Sequence, residues 1–78
     1  MPTVLRKEGF RFFFYSNDHE PVHIHVEKED HTAKFLLEPV QLIRSKGFNA
    51  NEISNIRKLV IQEQHNFKQY WNEYFNNK

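Results

Sequence analysis

Apolar residues recur at every second position through the first half of the chain and at helical spacing through the second, with the change near Gly47. Val22, Ile24 and Val26 alternate with His23, His25 and Glu27, which predicts a strand over 22–28 with one apolar and one polar face. Phe10 to Tyr15 is aromatic and strand-forming, and Thr3 to Lys7 predicts an edge strand ending before Glu8-Gly9. Ser16 to Pro21 and Glu29-Asp30-His31 are clusters of turn formers. Ala33 to Leu37 predicts a further strand that Pro39 interrupts, and Val40 to Ser45 another.

In the second half Asn49 is placed to cap a helix, with Glu52 three residues on as in a capping box. Ile53, Ile56, Val60, Phe67, Trp71 and Tyr74 then fall near one stripe, and Trp71, Tyr74 and Phe75 are expected in the core. No Gly or Pro occurs from Ala50 to Lys78. One helix over that span is about 40 Å long, whereas a domain of this size has a radius of gyration of about 12 Å. The helix therefore breaks, near Gln64-His65-Asn66, or overhangs to meet a partner. The expected fold is α+β: an antiparallel sheet of three to five strands over residues 3–45, packed with a long or broken C-terminal helix over 50–76.

Composition narrows the setting. Seventy-eight residues suit one domain with a thin core. The absence of cysteine excludes disulfides and thiolate metal sites, and favours a cytoplasmic location. No apolar run approaches the roughly 20 residues of a membrane span, and the N-terminus lacks a signal-peptide layout. Eleven Lys and Arg are nearly matched by 10 Asp and Glu, which argues against a basic nucleic-acid coat but leaves room for a local basic patch.

Strand geometry gives the histidines their interest, since alternate side chains share a face about 6.6 Å apart. Keeping the apolar faces together sets Tyr15 opposite His23, Phe13 opposite His25 and Arg11 opposite Glu27. Continued through the next hairpin, the same reasoning brings Lys34 beside Glu27, Leu36 beside His25 and Glu38 beside His23. One reading is an ordinary half-exposed polar face, although Phe13 and Leu36 sit badly in water there. A second is acid–base cleavage of a phosphodiester without metal or other cofactor. In it His23 and His25 exchange protons, Arg11 and Tyr15 complete the catalytic set, and Lys34 and Phe13 hold the substrate. A third is a metal site at His23 and His25, completed by Glu27, Glu20 or Glu38. His19 and His31 are read as solvated turn residues, and His65 as helix surface.

Several segments carry a resemblance: Met1 to Arg6, Gly9 to Ser16, Glu20-Pro21-x-His23-x-His25-Val26, Ala33-Lys34-Phe35, Leu37 to Val40, Gly47-Phe48 and Trp71 to Phe75. Through them the chain resembles, from end to end, a family of small bacterial proteins catalogued as a domain of unknown function numbered four-one-six-zero. That pattern usually has two prolines before the first histidine, where this chain has Pro21-Val22. The resemblance implies a small cytoplasmic protein encoded beside a second short protein, in pairs that look like toxin–antitoxin modules. A ribonuclease toxin follows from it as the leading expectation, with a non-catalytic antitoxin-like or binding half as the rival. The expected partners are the neighbouring protein and RNA, with a homodimer as a further option.

Overall fold

The computed structural model describes residues 3–15, 18–19 and 21–76. Five strands, β1 (Thr3–Lys7), β2 (Phe10–Phe13), β3 (His23–Lys28), β4 (His31–Leu37) and β5 (Val40–Lys46), precede two helices, α1 (Ala50–Gln62) and α2 (Gln64–Asn76). The strands form one antiparallel meander in chain order, so β3 lies at its centre. This is the α+β fold expected from the change of period.

Two-residue turns set the registers. Glu8 and Gly9 both take positive φ, at 55° and 85°, which lets β1 fold back on β2 immediately. Glu29 does the same at 56° between β3 and β4. The β2–β3 register is the expected one, Arg11 opposite Glu27, Phe12 opposite Val26 and Phe13 opposite His25. The ladder ends at Phe13, so Tyr15 does not pair with His23 as expected.

The β3–β4 register is displaced by two residues from expectation: Lys34 lies opposite His25, Leu36 opposite His23 and Thr32 opposite Glu27. The sequence reading left Glu29-Asp30-His31 in the turn. Left-handed Glu29 closes it with two residues, and His31 joins the strand. A shift of two preserves the face of every side chain, whereas a shift of one inverts them all.

The apolar face carries Phe10, Phe12, Ile24, Val26, Ala33, Phe35 and Leu37, all buried. Helix α1 packs on β4 and β5, and α2 on β4. Ile56, Leu59, Val60, Phe67 and Trp71 are the buried helical residues, and Phe12 meets Phe67 with ring centres 5.2 Å apart. Tyr74, expected in the core, is 46 % exposed, while Phe75 packs partly against the core beside Trp71. The one-residue drift of helical period over this last turn separates the two.

The capping box at Asn49 is present in full, with Glu52 N–H donating to the Asn49 side chain and Asn49 N–H to the Glu52 carboxylate. The helix breaks at Glu63, whose φ of −103° and ψ of 11° leave the helical region one residue before the expected stretch. Polar contacts pin this joint: Glu63 is 3.5 Å from Lys7, and the Gln64 side-chain amide donates to the Leu37 carbonyl. Gly47 ends the sheet at φ 94°, with the His31 ring where a Cβ would stand, 2.4 Å from its Cδ2. Among the described residues no helix is long and apolar enough to cross a membrane.

Candidate functional site

Side chains at alternate positions of β2 and β3 place Arg11, Phe13, His23, His25 and Glu27 on the face opposite Phe12, Ile24 and Val26. That face is not ordinary half-exposed surface at the histidines. His23 is 3 % exposed and His25 8 %, and they are the buried polar residues among those described. Trp71 of α2 meets His23 edge-on at 5.0 Å between ring centres. Phe13 stacks on His25 at 5.4 Å, and Tyr15 meets His25 edge-on at 4.6 Å. The two imidazoles lie 5.0 Å apart, nearly perpendicular.

The group that joins them is Asp18, in the loop after β2. The turn folds back on itself: Asp18 N–H donates to the Tyr15 carbonyl at 3.1 Å, and Tyr15 N–H to Asp18 Oδ2 at 2.9 Å. This brings the carboxylate, with its side chain only 12 % exposed, to both rings. A carboxylate oxygen accepts, so His25 Nε2 carries the proton that it donates to Oδ2 at 3.1 Å. His23 is fixed at its other nitrogen, where Nδ1–H donates to the Pro21 carbonyl at 2.8 Å. Its Nε2 lies 3.3 Å from Asp18 Oδ2, yet it is fully buried and makes no hydrogen bond.

The electrostatics follow from this packing. Burial pushes His25 below the ordinary imidazole value; the Asp18 carboxylate opposes the fall without overcoming it, and His23 and Lys34 add to it. Burial alone raises Asp18. The Tyr15 backbone N–H and the two histidines outweigh it, so the carboxyl stays below its usual value.

The other sequence-derived candidates divide. Phe13 lies beside His25 as the expected register has it, whereas Tyr15 meets His25 rather than His23, and Lys34 lies opposite His25 rather than Glu27. Arg11 belongs to a different group. It binds Glu27 at 2.5 Å and Thr3 Oγ1 at 2.9 Å, and lies over the Phe13 ring at 4.1 Å. Glu27, expected as a metal ligand, is therefore held by Arg11 rather than by the histidines. Glu38, the other alternative, is exposed and paired with Lys68 at 2.7 Å; Glu20 lies outside the described residues. His19 and His65 are exposed, as expected. His31 is half-buried against Phe48, not merely solvated.

Beside the cluster runs a groove of about 220 Å³. Phe13, Tyr15 and His25 are its aromatic lining, and Lys34, Arg44 and Lys46 its basic lining, with no carboxylate among the described residues that line it. Arg44 lies opposite Lys34 across β4 and β5, and Lys46 opposite Thr32, so alternate register positions make the row. A larger depression of about 320 Å³ lies between β1 and α2, but Glu63 and Glu73 make it acidic and no histidine lines it. Sequence reasoning missed Asp18, Arg44 and Lys46. The signal for the two cations was the alternation of β5 carried across from Lys34, whereas Asp18 read only as a turn former.

No curated protein and no solved structure matches the chain. The family described as "Domain of unknown function (DUF4160)" matches residues 9–72, a span that holds the whole cluster and the groove, and the chain belongs to that family.

Proposed function

We propose that the protein acts on RNA in the bacterial cytoplasm as the effector half of a two-protein, toxin–antitoxin-like module. A single-stranded segment lies along the groove, and its phosphodiester is cleaved at the Asp18–His23–His25 cluster. The observation that carries this reading is that the exposed Tyr15 ring and three cations line one groove that His25 also lines. An aromatic face stacks on a base, worth about 1–3 kcal/mol, while Lys34, Arg44 and Lys46 suit the phosphate backbone. The reading of the chain as half of a module rests on the family resemblance. Exposed Tyr70 and Tyr74, one turn apart on α2, offer a helical face on which a neighbouring protein can pack.

The chemistry is weighted by burial. A general acid or base must reach its proton at about 2.6–3.2 Å. With His23 3 % and His25 8 % exposed, and both turned to Asp18, the two imidazoles are poorly placed to meet a substrate oxygen directly. They are better placed to act together on something held between them. Arg11 is spoken for by Glu27, so binding of the phosphate backbone falls to Lys34 and Arg44.

The test is RNA binding and degradation by the purified chain, with and without its neighbouring protein. Lys34→Ala and Arg44→Ala are expected to weaken RNA binding and to lower the salt dependence by about one charge each. Asp18→Asn is expected to bind RNA and leave it intact. RNA bound but never cleaved by wild type would make the protein a non-catalytic binding module. RNA neither bound nor cleaved, at low salt, would overturn the proposal.

A further inference from the structure

The structure assigns a divalent transition-metal site to Asp18, His23 and His25, with His23 Nε2, His25 Nε2 and an Asp18 carboxylate oxygen as ligands. The site deepens the RNA-cleavage reading by naming what the buried cluster holds, but its geometry stands without that reading.

The first observation is the buried lone pair on His23. With Nδ1–H donating to the Pro21 carbonyl, a neutral His23 ring presents a bare lone pair at Nε2. That lone pair is fully buried and unpartnered, 3.3 Å from a carboxylate oxygen. Two electron-rich atoms face each other there out of water, an arrangement that costs energy unless a cation lies between them. Nearly all buried polar groups find a partner, so an orphan atom at this spot points to a ligand.

The second observation is the fit of the donor set. One donor atom from each of the three residues lies within 4.8 Å of the others. Around an ion with bonds of about 2.1 Å, neighbouring ligands stand roughly 3.0–3.4 Å apart. The two Asp18–histidine separations, 3.1 and 3.3 Å, already fall in that range. Small movements of the two rings close the remaining distance.

The third observation lies behind the ligands. Metal-bound imidazoles commonly donate their far N–H to a carbonyl, which fixes ring and tautomer, and the ligating carboxylate is itself hydrogen-bonded. Here Pro21 holds His23 and the Tyr15 N–H holds Asp18. Trp71, Tyr15 and Phe13 restrict the rings from the sides. His25 alone must change: its ring proton moves from Nε2 to Nδ1 when Nε2 takes up the metal.

Two imidazoles and one carboxylate select a borderline ion of the zinc or ferrous class over magnesium or calcium, which prefer oxygen ligands. Three ligands come from the described residues, and a set of three leaves a position for water, as in hydrolytic centres. Such an ion lowers the pKa of its water and supplies the nucleophile that the buried histidines cannot deliver themselves.

The test is titration of chelator-treated protein with zinc, read by calorimetry and by 15N NMR of the imidazoles. One zinc per chain is expected, with His25 switching from the Nε2–H to the Nδ1–H tautomer and His23 keeping its own. Asp18→Asn, which preserves size at a loop position, is expected to weaken zinc about 100-fold or more, as is His23→Gln. Glu27→Gln and His65→Ala are expected to bind as wild type. Should His23→Gln fail to fold, Asp18→Asn and the wild-type tautomer switch still decide. No stoichiometric zinc at micromolar concentrations, undiminished binding in Asp18→Asn, or loss of binding in His65→Ala overturns the site. RNA affinity of the same metal-free protein is measured separately. Bound RNA without zinc binding rejects the metal and keeps the groove, whereas zinc binding without RNA affinity rejects the groove and keeps the metal.

Discussion

The two faces of β3 are both buried, and they are buried by different means. Ile24 and Val26 are fully covered, against Phe12, Phe35 and the helices, where every partner is apolar. His23 and His25, one residue along, are nearly as inaccessible, but aromatic rings, a folded-back loop and a carboxylate cover them. Burial on the first face is stabilising of itself, roughly in proportion to the apolar area removed from water. On the second face it removes polar nitrogens from water and stabilises only where each finds a partner. One nitrogen has none, at His23 Nε2. Side chains that cost stability and still persist in such a place are the ones to examine for function.

The contrast can be broken from the apolar side. Phe12→Ala empties a fully buried site beside Phe67 and is expected to destabilise by about 3–5 kcal/mol, read from the denaturant midpoint. Asp18→Asn, by comparison, is expected to lower the midpoint far less, by the small contribution of the ionised carboxylate, while removing metal binding. If both substitutions unfold the chain alike, the two faces do not differ as described.

A smaller effect is expected where the polar face lacks the cluster. Arg11→Ala removes the ion pair with Glu27 and the cation over Phe13, together about 1 kcal/mol. Zinc affinity should not change. A metal-binding defect in Arg11→Ala would join the two groups that the structure separates.

The smallest expected effect concerns pH and applies to metal-free protein. His25 takes up a proton less readily folded than unfolded, so the unfolded chain protonates first as pH falls through about 6.5. Stability contributed by neutral His25 is therefore present at higher pH and declines with acid below that point. Asp18 adds a further loss only at more acidic pH, as its depressed carboxyl is protonated. The groups facing His25 are Asp18, His23 and Lys34. Thermal midpoints in chelator should begin to fall in wild type as pH drops through about 6.5, and should fall less steeply in His25→Gln.

How far the chain could be read in advance follows the same division. Alternation of apolar residues placed β2 on β3 in the right register and put His23, His25 and Phe13 on one face, because that face is set by period alone. It erred by two residues between β3 and β4, because a left-handed glutamate at Glu29 is not a signal that sequence carries. Length against domain size left a break or an overhang as the two outcomes, and the helix breaks at Glu63, one residue before the expected stretch. The centre of the site was not. Asp18 owes its position to the path of a loop, and composition says of a loop only that it turns. The same gap led Glu27 to be assigned to the histidines, when Arg11 across the ladder already held it.

Whether the Asp18–His23–His25 cluster carries the chemistry, with the groove only holding the substrate, is decided by single-turnover cleavage of a short single-stranded RNA by zinc-loaded wild type, Asp18→Asn and Lys34→Ala. Asp18→Asn is expected to lose about 10²-fold or more in the cleavage step at unchanged RNA affinity. Lys34→Ala is expected to lose affinity while cleaving at the wild-type rate once saturated. Equal cleavage by wild type and Asp18→Asn would place the chemistry outside the cluster.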